Sequence, residues 1–149
     1  MNRKGFTLVE ILIVVIILGI LAAIVIPQFT EASNDARKSS LASDLQTVRS
    51  QLELYKVQHL EAYPGPDAAG FVTQLTSKTD SDGTLNPAGK YGPYLQKFPK
   101  NPFTVDPNAA DDVVFAPEAC DYLGTTGWYF CTTTSSFTPN TKGHDEEDL

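Results

Sequence analysis

The sequence predicts an α+β fold: one long N-terminal helix carrying a small antiparallel β-sheet head. Three observations lead there. Residues 6–26 (FTLVEILIVVIILGILAAIVI) form an apolar run with a single charge. Residues 29–60 then continue with neither Pro nor Gly. Beyond residue 63, prolines, glycines and short aromatic runs replace helical periodicity.

The apolar run comes first. As a helix rising about 1.5 Å per residue it covers roughly 31 Å, the thickness of a bilayer's hydrocarbon core. Arg3 and Lys4 are the charges ahead of it, so the positive-inside tendency leaves the N-terminus cytoplasmic and sends the chain beyond Gln28 outward. A secretory leader would end in a small-residue cleavage pattern, whereas this run leads into Pro27-Gln28-Phe29. The run is therefore expected to be retained, and any removed piece is the basic stub 1–5, where Gly5 lets a protease approach the backbone. Glu10 is the anomaly. An unpaired acid at the bilayer centre costs about 2.5–3.5 kcal/mol and less near the interface, and a helix N-terminus favours nearby negative charge. Pro27 removes one helical hydrogen bond, so a bend or local melting is expected there; the alternative is a helix end followed by a loop.

The second half of the helix reads differently. Leu41, Leu45, Val48, Leu52 and Tyr55 recur at helical spacing as one apolar stripe, with Asp44, Arg49, Glu53 and Lys56 on other faces. Asp35 and Lys38 are spaced for a helical charge pair. Tyr63-Pro64-Gly65-Pro66 cannot continue a helix, which should stop near Ala62. The expected divisions are 1–5, a leader; 6–26, a membrane helix; 27–62, an amphipathic helix; and 63–149, a head. In the head, residues 71–75 read as a short helix, and 113–115 and 127–131 as strands. Residues 132–136 read as a hairpin loop into a strand around Phe137. The sheet should lie on the C-terminal half of the helix.

Net charge is −7, and residues 61–149 hold 13 acids against 5 bases. An acidic outer part with no basic patch argues against nucleic-acid binding by a single subunit. Cys120 and Cys131 lie beyond the membrane run, where an oxidising compartment permits a disulfide; two buried free thiols are the alternative. His59 and His144 stand alone, His59 on the exposed end of the helix and His144 in a tail with the acidic run 145–148. Asp80-Ser81-Asp82-Gly83 is a fragment of a calcium-loop pattern without the later ligands. A tight turn is its first reading, and Asp80 and Asp82 are weak calcium candidates. No other cofactor is indicated, and no convergent set of titratable groups suggests an enzyme.

Lys4-Gly5-Phe6-Thr7-Leu8-Val9-Glu10 resembles the class III signal of type IV pilins and type II secretion pseudopilins. The resemblance implies a pilin-like fold, cleavage between Gly5 and Phe6 by a prepilin peptidase, and N-methylation of Phe6. It also implies that Glu10 meets the new terminal amine of a neighbouring subunit; pairing within one chain is the alternative. Pro27, seventeen residues after Glu10, falls where such chains place a helix-bending proline. Residues 91–103 (YGPYLQKFPKNPF) and Gly127-Trp128-Tyr129 resemble segments of the major, G-type pseudopilins. A homo-oligomeric helical filament is implied, together with an inner-membrane assembly platform, minor pseudopilins and an extracytoplasmic head in the periplasm or at the cell surface. Two departures stand out: the acids 145–148 form a terminal run where those subunits hold calcium in a loop, and the cysteine pair resembles the disulfide loop of true type IV pilins. A type IV pilus or DNA-uptake pilin is thus the second expectation. A bitopic membrane protein with a ligand-binding head is the third.

Overall fold

The computed structural model describes residues 5–65, 68–116 and 126–140. Two compact units divide the chain, Met1–Ala36 and Arg37–Leu149. Helix α1, Leu8–Gln58, contributes to both.

In the first unit α1 is apolar and bare. An 18-residue window of the helix has mean hydropathy 3.3 with none of it buried, long and apolar enough to cross a membrane. The helix passes through Pro27 without interruption, so the expected melting is not found, nor is the helix end. Proline removes a single amide donor, here the one that would reach the Ala23 carbonyl, and the bonds on either side hold the helix together. The Thr30 hydroxyl adds a bond to the Ile26 carbonyl at 3.2 Å.

In the second unit the expected stripe is the buried face of α1: Leu41, Leu45, Val48, Leu52 and Tyr55. The helix ends at Gln58, ahead of the Ala62 expected. Leu60 and Glu61 adopt positive φ (56° and 65°), and the Glu61 amide donates to the Lys56 carbonyl at 3.0 Å, which closes the last turn as a glycine cap would. Helix α2 spans Ala68–Thr76, and strands β1 (Val113–Ala116), β2 (Trp128–Cys131) and β3 (Ser136–Pro139) form one sheet in that order. The short helix and three strands fall where the sequence predicts them. The sheet is not wholly antiparallel: β1 pairs with β2 in parallel, Val113 opposite Trp128, and only β2 with β3 is antiparallel. Residues 132–135 make a tight reversal between β2 and β3, whereas 117–127 separate β1 from β2. A connection of that length lets the chain return to its starting end, which a short hairpin forbids.

Phe71 of α2 anchors the core. It is fully buried, with ring centroids of Phe98, Phe115, Phe130 and Phe137 between 5.1 and 6.3 Å away. Trp128 stacks on Phe137 at 5.1 Å and donates its indole N–H to the Pro99 carbonyl at 2.9 Å. Arg49 ties α1 to β3, with Nε and Nη2 both donating to the Phe137 carbonyl at 2.9 and 2.8 Å. Gly127 is held where a Cβ would lie 1.8 Å from the Ala110 carbonyl oxygen, so no other residue fits.

Candidate functional site

Gly5, Phe6 and Thr7 precede the first helical residue and are exposed. Thr7 is the N-cap of α1, and Glu10 is its third helical residue. The Glu10 amide donates to Thr7 Oγ1 at 3.3 Å, while Glu10 Oε2 accepts from the Thr7 amide at 2.8 Å and the Thr7 hydroxyl at 2.7 Å. This is a reciprocal capping box, which satisfies two of the four amides a helix start leaves open. The signal for it was in the sequence, since Thr7-Leu8-Val9-Glu10 has the required spacing, yet Thr7 was not among the expected site residues. Glu10 is exposed and uses one carboxylate oxygen on its own chain. Its neighbours along the helix are apolar and exposed: Leu8 is 81% exposed, Val9 59% and Ile11 51%. A surface of this kind is stable only in lipid or against other apolar helices.

Asp80 and Asp82 occupy a tight turn in which the Gly83 amide donates to the Asp80 carbonyl at 2.9 Å, with Gly83 at φ 82°. Asp80 Oδ2 accepts from Asn86 Nδ2 at 2.8 Å, and Asp82 Oδ1 accepts from the Thr84 amide and hydroxyl at 3.0 and 2.7 Å. The Thr84 bonds hold the Asp82 carboxyl below its ordinary range. The two carboxylates serve the turn separately, and among the described residues no group of three or more His, Cys, Asp or Glu converges as a metal site.

His59 overturns its expectation. It is 2% exposed, stacked on Tyr55 at 3.7 Å. One ring nitrogen lies 2.8 Å from the Tyr55 carbonyl and the other 2.9 Å from Thr79 Oγ1. Tyr91 and Tyr94 meet its edges at 5.5 and 6.1 Å. The helix ends one residue before His59, and the left-handed residues beyond it turn the chain so that the ring is covered. Cys131 is buried in β2 and disulfide-bonded. Cys120, named as its expected partner, lies outside the described residues, as do His144 and the acids 145–148.

The site therefore consists of a short non-helical lead, a capped acid and a bare apolar helix. What it presents is an exposed non-helical lead and an exposed apolar helix.

Comparison with known proteins bears on both. Residues 1–26 match the family model of the prokaryotic N-terminal methylation motif. The chain is 35% identical over 102 residues to type II secretion system core protein G of Pseudomonas aeruginosa, covering 68% of this chain and 69% of that one. The protein of the same name from Vibrio cholerae is 32% identical over 105 residues, 70% of this chain and 68% of its own. That of Escherichia coli is 31% identical over 108 residues, 70% of each. No solved structure matches.

Proposed function

The chain belongs to the family of type II secretion system core protein G, and from that premise we propose how its N-terminal segment is used. It is a structural subunit, a major pseudopilin of type II secretion. Peptidase cleavage falls between Gly5 and Phe6, and the freed amine of Phe6 is methylated. The apolar half of α1 holds the precursor in the inner membrane with residues 1–5 on the cytoplasmic side and the head outside. It then leaves lipid to pack against the same helix of other copies. Glu10 governs that packing: its capped carboxylate keeps one oxygen for the cationic terminus of an adjacent copy, so correct axial register is favoured and misregister leaves a charge unpaired. Pro27 weakens the helix at one bond, giving it latitude to adjust along the filament. The membrane assembly platform, minor pseudopilins and the processing enzyme are its partners, and Cys131 pairs with Cys120 to brace the head.

The observation that carries this reading is the exposed apolar half of α1 with one acid, held at the helix start by the capping box. Intact mass of the mature protein tests it. Loss of residues 1–5 with one methyl added at Phe6 is expected; a full-length, unmethylated chain in cells that hold the processing enzyme would overturn it.

A further inference from the structure

The second half of α1 buries one side in the head and turns the other outward. At about 100° per residue, Ser43, Gln46, Ser50, Leu54 and Val57 lie within about 40° of the direction opposite the buried stripe. All five are exposed, Val57 to 72%. A helix that meets water on its outer side carries its charges there. Between residues 37 and 58 the charges are Arg37, Lys38, Asp44, Arg49, Glu53 and Lys56, and every one of them falls farther round the helix. Two hydroxyls on the outward side are also spent within the helix. Ser50 Oγ donates to the Gln46 carbonyl at 2.9 Å, and Thr47 Oγ1, at the edge of the face, donates to the Ser43 carbonyl at 2.8 Å. What is left is an uncharged strip, small at Ser43 and Ser50 and aliphatic at Leu54 and Val57.

Resting on the pseudopilus reading, we propose that this strip packs the apolar run 8–26 of a second copy of the chain. The strip lies on the same helix as that run, so it extends the packing surface already assigned to α1. Composition selects the occupant. Residues 8–26 hold Glu10 as their only charge, and none of the helix's most apolar window is buried. An uncharged helix side can cover such a surface, whereas a charged side laid on it would lose hydration with no counter-ion in return. A second head fits the strip poorly, since residues 61–149 hold 13 acids against 5 bases. The small side chains of Ser43 and Ser50 let another backbone come close, and Leu54 and Val57 supply the apolar contact. A filament contact joins two different patches of one chain, here the strip of one copy and the run of another, so it repeats without closing.

The test uses the full-length protein in cells that assemble filaments. A benzophenone side chain in place of Val57 should join, on irradiation of filaments, to a peptide from residues 8–26 of another copy, read by mass spectrometry. Ser50→Lys and Leu54→Lys should each lower the sheared filament fraction about tenfold, because a charge is then buried without a partner. The added cation lessens the net acidity of the chain, so general repulsion between copies does not account for such a loss. Ser50→Ala and Leu54→Met should assemble as wild type. All four variants should keep N-terminal processing and head melting temperature, since the replaced side chains are exposed. A cross-link to a head peptide or to a different protein, no cross-link in assembled filaments, or wild-type filament levels in both lysine variants would overturn the contact while leaving the pseudopilus reading intact. A wild-type chain that is never processed or assembled would remove both.

Discussion

At the scale of single residues, Glu10, Tyr55 and Gly127 each make a different demand on their surroundings. Replacing Glu10 by Ala removes the capping carboxylate and, on the proposed reading, the acid that meets the next copy. Membrane insertion should persist while the sheared filament fraction falls, with unchanged filament levels refuting the role. The Tyr55 hydroxyl, raised from 10.0 to about 12 by burial first, makes a signed prediction. Between those values the unfolded chain loses a proton the folded chain keeps, so stability is intact below pH about 10 and is lost as pH rises toward 12. Tyr55→Phe should flatten that alkaline slope in denaturant titrations at a series of pH values. Gly127→Ala forces backbone apart at Ala110 and should destabilise the head by more than about 3 kcal/mol, measured by thermal unfolding. Of these residues only Glu10 stood out in the sequence, because a charge in an apolar run is visible without coordinates. Tyr55 was legible as core. Gly127 is special only because distant backbone meets it, and His59 was misplaced because its burial depends on Thr79 and the tyrosines folding over it.

At the scale of elements, α1 serves two environments. Among the described residues its apolar run is exposed, and its second half buries one stripe in the core of the head. Both halves were legible because periodicity and hydropathy are local properties. So were α2 and the three strands, each bounded by turn residues. Strand direction was not, since parallel or antiparallel pairing is decided by how the connecting chain returns. Phe71 gives α2 its hold on the sheet, being ringed by aromatics on several sides. Phe71→Ala should cost about 3–5 kcal/mol in chemical denaturation, with the apolar run still inserting into membranes. A cost below about 1 kcal/mol would mean that the head does not depend on that contact.

At the scale of the whole molecule, a small acidic head is attached to an apolar helix that other molecules must cover. The head's core is modest, so a covalent brace matters. Replacing Cys120 and Cys131 together by Ser should lower head stability by about 2–4 kcal/mol, read from melting temperature with and without reductant. Membership of the pilin and pseudopilin superfamily was legible in residues 4–10, because such a signal is read as linear sequence, and the G-type resemblance in residues 91–103 and 127–129; the sheet's topology was not, because it is made by contacts between distant segments. The capping box has a last consequence. The Thr7 amide stays an amide whether or not the Gly5–Phe6 bond is intact, so its bond to Glu10 is the same on both sides of the cut. On the proposed maturation, the cut replaces a neutral peptide at Phe6 with a cationic amine while this one bond stays in place. The acid's own-chain bond is thus in place before any cationic amine is made beside it.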